Sequence, residues 1–208
     1  MTFLMVHEVN TDRRQVDESV LKIRSSRSGK IGEYSIGRVV RKEISQASGR
    51  GIIPNVTYKS FGAVGEFPEA ARIWIRWVSE VPLDGGEWIN MSPSFQAAWL
   101  DVVQKSWFAT SRGAARYGPS AVVELEGTQI SSRTAFYCAL GEAINGPGGY
   151  YGSSLDGLAD CIRSSFGEGP PSRISWRDFQ SSAESRDRAY LKSILDVLDE
   201  FHIELVTN

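Results

Sequence analysis

Behind the pair Ser92-Pro93, which suits an N-cap and a first helical position, Phe95, Trp99, Val103 and Trp107 recur at four-residue spacing. This is the pattern of a helix with one apolar side, and an aromatic stripe of that kind reads as a core face. Residues 71–79, ARIWIRWVS, follow a different rhythm: Ile73, Ile75 and Trp77 fall on one side of an extended chain and Trp74 and Val78 on the other, which predicts a central strand covered on both faces. SVLKIRSS and VVRKEI suit further strands, as does the opening MTFLMVHEV, while Gly29, Gly32, Gly49, Gly51 and Gly65 punctuate loops. These glycines form neither a GxxxxGK[ST] nor a strand-anchored GxGxxG phosphate loop.

After residue 120 strands and helices alternate more cleanly. AVVELEG (121–127) starts a strand at Val122 and Val123 and ends on Glu126-Gly127, suited to a turn. A helix from about Ser132 to Ala143 places Ala135, Phe136, Ala139, Leu140 and Ala143 along one side, and Asn145-Gly146-Pro147-Gly148-Gly149 cannot continue it. Next come a helix over about 154–164, the loop GEGPPS, a short strand ISW, helical stretches at 177–183 and 188–200, and a closing strand HIELVT. Strands separated by helices imply an α/β fold with a largely parallel sheet. The segment ATSRGAARYGPS, 109–120, is rich in small residues and broken by Gly113, Gly118 and Pro119. It divides the chain into an N-terminal domain of mixed α+β type (1–112), a linker (113–120) and a C-terminal domain (121–208).

Charge sharpens this division. Residues 1–116 hold 16 Lys/Arg against 12 Asp/Glu, whereas residues 117–208 hold 7 against 13. An acidic half is repelled by nucleic acid and attracted to a protein that binds it. With 41% hydrophobic and 23% charged residues, the 208-residue chain falls among globular proteins and outside the disordered class. No apolar run approaches the roughly 18 residues of a spanning helix, so no membrane partner is expected. The apolar start has no basic residue before it and no small-residue cleavage site behind it, unlike a secretory signal. Cys138 and Cys161 make no CxxC or other metal-spaced set. They point to a reduced, cytoplasmic setting and to packing as small hydrophobes.

Within GYYGSSLDGLADCIRSSFG (149–167), a helical wheel at about 100° per residue puts Leu155, Leu158 and Ile162 on one side and Asp156, Asp160 and Arg163 within about 60° on the other. Ser153 and Asp156 can form a capping-box variant, and the helix dipole favours a carboxylate in the first turn. That accounts for Asp156 alone. Asp160 sits a turn further on, where its like-charged neighbour costs about 0.2–0.5 kcal/mol unless Arg163 offsets it through an i,i+3 pair. Geometry by itself leaves two readings open, a solvated face and a binding face.

YYG before this helix, the acidic pair on it, a Cys directly after the second Asp, and a later SWRDF followed by ILDVLDE together resemble the barstar family of inhibitors of microbial ribonucleases. The resemblance covers about residues 121–208, from VELEGTQI to the terminal strand. It implies a small, mainly parallel three-stranded sheet packed by helices. It also implies a partner-binding role for Tyr150, Gly152, Asp156, Asp160 and Glu200. Tyr150 matches the family's tyrosine at the ribonuclease active-site region, Asp160 the carboxylate that occupies the phosphate site, and Glu200 a third acidic contact, while Gly152 lets the partner approach. Tyr151, Ser153, Gly157, Ala159, Arg163 and Ser164 become flanking contacts. Three departures stand out: Ala159 where the family can have tryptophan, Arg163-Ser164 in place of Thr-Gly, and almost no loop between the last helix and HIELVT.

A ribonuclease grips phosphate with Arg, Lys and His, and carboxylates placed there make charge-assisted, bidentate bonds. The expectation is therefore a cytoplasmic inhibitor of a basic ribonuclease or ribonuclease toxin domain, serving as an immunity protein, with no cofactor, no metal, no catalytic residues and no direct nucleic-acid contact. One alternative is an interaction module for a partner other than a ribonuclease. Another is an enzyme using the paired carboxylates, which lack the apolar enclosure that separates acid from base. His7 and His202, each expected on a strand, lie far apart in sequence and suggest no metal site. The basic N-terminal half is also compatible with a shield over the acidic face of its own chain.

Overall fold

The computed structural model of this chain describes residues 15–45, 55–60, 68–110, 122–164, 170–183 and 187–208. The expected opening strand with His7, the linker 113–120 and Gly49, Gly51 and Gly65 lie outside them. Three antiparallel strands come first, β1 (Gln15–Arg24), β2 (Lys30–Ser45) and β3 (Asn55–Ser60), with β2 in the middle. They take in most of the two segments expected as strands. Gly32, expected in a loop, instead lies within β2, because a Cβ there would sit 2.2 Å from the indole ring of Trp74. Its bare backbone lets that ring lie against the strand.

Residues 71–79 overturn the strand expectation: 71–78 belong to helix α1 (Ala70–Val78) and Ser79 is its C-cap. Ala70, Ile73 and Trp74 are buried and Trp77 is half-buried, a helical i, i+3, i+4, i+7 set, whereas Ile75 is 54% exposed. A short apolar run carries both periods, and here tertiary contacts decide between them. The Trp74 indole N–H donates to the Tyr34 hydroxyl at 2.8 Å, and that hydroxyl donates to Asp101 at 3.0 Å. The run thus docks on the antiparallel sheet instead of joining it. Asp101 lies on helix α2 (Pro93–Ala109), which starts as expected: Ser92 Oγ accepts the Phe95 N–H, Pro93 is the first helical residue, and Trp99, Val103 and Trp107 are buried.

The C-terminal half runs β4 (Val122–Glu126), a 3₁₀ turn (Gly127–Gln129), α3 (Arg133–Asn145), α4 (Leu155–Arg163), β5 (Arg173–Arg177), α5 (Phe179–Ala183), α6 (Arg188–Glu200) and β6 (Glu204–Thr207). The sheet order is β4-β5-β6, all parallel. Val123, Leu125, Ile174 and Trp176 point into the core, while Val122, Glu124, Arg173 and Arg177 alternate outward. Along that outer face Arg177 pairs with Glu124 and Glu126, and Arg173 with Glu204. Trp176 is fully buried, stacked on Phe136, with its indole N–H donated to Ser182 Oγ at 3.2 Å. Two expectations fail here. Ala143 faces solvent and Ile144 takes the buried position; His202 is not on a strand but in the turn after α6, with φ 56°.

One apolar cluster joins the two halves, with Trp74, Trp88, Trp99 and Val103 packed together with Leu125, Phe136, Leu140 and Ile144. A polar clamp reinforces it. Glu142 of α3 accepts the Gly86 N–H at 2.7 Å and the Gly148 N–H at 3.3 Å, tying a loop before α2 to the loop after α3. Burial pushes the Glu142 carboxyl above the usual carboxylate range, against the pull of these two N–H donors.

The folded state therefore holds the Glu142 proton more tightly than the unfolded chain does. This group's contribution is greatest below the ordinary carboxylate value and is lost as pH rises through the raised folded value. In urea melts over a pH series, wild type should lose stability relative to Glu142→Gln as pH rises from the ordinary carboxylate value through the raised folded one, and run parallel to it above. A difference independent of pH would contradict this account.

Candidate functional site

Helix α4 is fixed at its start by Ser154, in extended conformation, whose Oγ accepts the Gly157 N–H at 3.1 Å. The cap is thus Ser154 and not Ser153, whose hydroxyl donates across to Gln104 of α2 at 3.3 Å. Asp156 falls in the first turn, as the dipole favours. Leu158, Ala159 and Ile162 are buried, whereas Asp156, Asp160, Arg163 and Ser164 are exposed and Ser153, Gly157 and Cys161 lie between. The wheel drawn from sequence therefore describes the real helix, with Ala159 added to its inner side and Leu155 only half-buried.

The Asp160 side chain is 78% exposed, so the described part of the N-terminal half leaves it open to solvent. Arg163 lies 3.6 Å from Asp160 and 3.8 Å from Glu200, and its guanidinium sits 5.0 Å above the Phe201 ring. The tight α6–β6 connection thus does not remove Glu200 from the acidic face. These pairs are exposed, and each contributes only about 0–1 kcal/mol to stability. Their consequence is spatial, since one cation joins the carboxylates of α4 and α6.

The YYG turn is placed differently from the acids. Tyr150 is only 4% exposed and Tyr151 1%. Tyr150 meets the ring of Phe108, from α2, edge-on at 5.5 Å and 62°, and its hydroxyl lies 3.4 Å from Ser153 Oγ. Burial raises the Tyr150 phenol pKa, the Ser153 hydrogen bond opposes this, and the nearby Cys161 and Asp160 add to it. Burial likewise pushes the Cys161 thiol up to about 11, with Asp160 adding to the effect. Cys138 is buried in α3, and neither cysteine forms a disulfide.

Gly152 has φ +98°, and a Cβ on it would lie 2.8 Å from the Leu158 nitrogen. Its missing side chain makes room for this chain's own helix. Sequence reasoning assigned no role here to Phe108 and Gln104 of α2. The available signal was Phe108 itself, an aromatic residue one place off the buried Trp99–Val103–Trp107 stripe.

A parallel three-stranded sheet packed by helices, with an exposed acidic helix entered through the YYG turn, makes the C-terminal half a small α/β domain. Residues 120–206 match the family model described as Barstar (barnase inhibitor), so the C-terminal segment carries a barstar-type domain; the match takes in less than half of the chain. No curated protein matches the chain. Among the described residues, no group of three or more His, Cys, Asp and Glu side chains is placed to hold a metal ion, and no helix is long and apolar enough to cross a membrane.

Gly152→Ala should destabilise the protein by about 1–3 kcal/mol, since it combines a left-handed backbone with contact against α4. Urea denaturation would read the loss, and hydrogen exchange should localise it to the amides of the first turn of α4.

Proposed function

We propose that this protein inhibits a microbial ribonuclease or ribonuclease toxin by seating the acidic face of α4 in the enzyme's phosphate-binding cleft, and that it serves as an immunity protein for the cell that makes it. Asp160 stands where the scissile phosphate would sit, Asp156 flanks it, and Glu200 extends the negative surface. The observation that carries this reading is the exposed Asp156–Asp160 pair on a helix whose opposite side is locked into a barstar-type core. Exposed carboxylates attract a basic cleft over distance, which speeds encounter. In the complex they lose water and gain Arg and Lys partners, which slows escape.

The test is inhibition and binding of purified small basic microbial ribonucleases, barnase among them, by the full chain. Asp160→Ala should weaken binding by about 2–5 kcal/mol, the usual cost of truncating one partner of a buried, hydrogen-bonded charge pair, because the enzyme's cation is left buried and unpaired. Unchanged inhibition by the Asp156→Ala/Asp160→Ala double variant would defeat the proposal.

Arg163 works against encounter, since it partly neutralises Asp160 and Glu200 in the free protein. Arg163→Gln is expected to raise the association rate roughly threefold at low salt, with the gain fading as ionic strength rises. Stopped-flow association at two salt concentrations measures this.

A further inference from the structure

Phe108 lies in the last turn of α2 and, at 63% exposure, is among the large hydrophobic side chains most open to water. It stands outside the segment matched by the barstar model, yet its ring closes over Tyr150. Tyr150 in turn lies beside the acidic helix and its entrance. A Cβ on Gly157 would lie 3.6 Å from the Tyr150 hydroxyl, and the charge of Asp160 acts on that same hydroxyl. Gln104, one turn earlier on α2, meets Ser153 at the entrance to α4.

We infer that Phe108 is the aromatic anchor of the inhibitory interface, a contact that helix α2 of the N-terminal half adds to the barstar-type domain and that helps to select its ribonuclease. This rests on the proposed function. Carboxylates give an inhibitor fast association with a basic enzyme, but a long-lived complex also needs a desolvated apolar contact near the charge pairs. Tyr150, with 4% of its surface exposed, has little left to offer a partner. Phe108 packs on it, remains largely exposed, and stands one ring away from the helix that carries Asp156 and Asp160. The occupant is therefore the same basic ribonuclease whose phosphate site takes Asp160, and Phe108 reaches the apolar rim beside that site. A barstar-type domain lacking α2 would present the tyrosine itself, so the two arrangements suit enzymes with differently shaped rims.

The experiment uses the full chain and measures association and dissociation with the same ribonucleases at low and high salt. Phe108→Ala is expected to speed dissociation roughly tenfold while leaving the association rate and its salt dependence unchanged. Asp160→Ala should instead alter both association and salt dependence. Where the alanine variant is unstable, Phe108→Leu, which keeps an apolar cover on Tyr150, should speed dissociation by a smaller factor of about three. Dissociation that is unchanged overturns the inference. Dissociation that slows overturns it as well, and marks Phe108 as a cover that hides Tyr150. If Asp160→Ala weakens binding and Phe108→Ala does not, only this inference fails; if no ribonuclease binds the wild-type chain, the functional reading fails with it.

Discussion

Helix α2 carries more apolar surface than one neighbour can cover. Trp99, Val102, Val103 and Trp107 are all buried, and they are buried by packing α2 against β2, α1 and α3 together. Removing that much aromatic and aliphatic surface from water is the strongest single drive toward joining the two halves of this chain. Everything near α4 inherits its geometry from this seat. Once α2 is wedged against α3, its last turn overhangs the YYG turn, Phe108 closes on Tyr150, and Gln104 meets Ser153.

Electrostatics then acts on a surface whose shape is already set. Asp160, Arg163 and Glu200 are each more than half exposed, so their mutual pairing adds little to folding and can be exchanged for a partner's charges at little cost. The contrast with Glu142 is instructive. That carboxylate is drawn into the protein and held by two backbone N–H groups, and it serves cohesion. The acids of α4 and α6 make no such commitment to the fold, which leaves them available for recognition.

How much of this was legible in the sequence differs between the halves for a physical reason. In residues 121–208 the local signals are strong: alternation in β4, a serine at the start of α3, and glycines that end α3, although the cap of α4 fell one residue later, on Ser154, than the Ser153 read from sequence. The parallel sheet, the inner and outer sides of α4 and the span of α6 could all be read from them. Residues 71–79 were misread because a nine-residue apolar run fits a strand and a helix equally well in isolation, and the choice was made by Tyr34 and Asp101, distant in sequence. Gly32 was misread for a related reason, since its role depends on a tryptophan more than 40 positions away. At the candidate site, the exposure of Asp156 and Asp160 followed from helical geometry. The burial of Tyr150 did not, because the ring that covers it comes from the other half of the chain.

That burial also bears on how an inhibitor achieves tight binding from small contacts. A carboxylate on a mobile loop would lose much of its charge–charge gain to the entropy of being ordered. Here the acidic helix is short, but it is held at three points: the Ser154 cap, the Leu158 and Ile162 contacts with the core, and the passage of its backbone over Gly152. The two aspartates thus project from a fixed scaffold while staying exposed to solvent, so that in the proposed complex the cost of binding would fall on desolvation, compensated by the partner's cations, and little on ordering. A rigid acidic surface of this kind gains more from an adjacent apolar contact than a flexible one would, because the same backbone fixes both at once. In the proposed interface the overhang of α2 would supply such a contact from outside the matched domain, through the core that holds the two halves together.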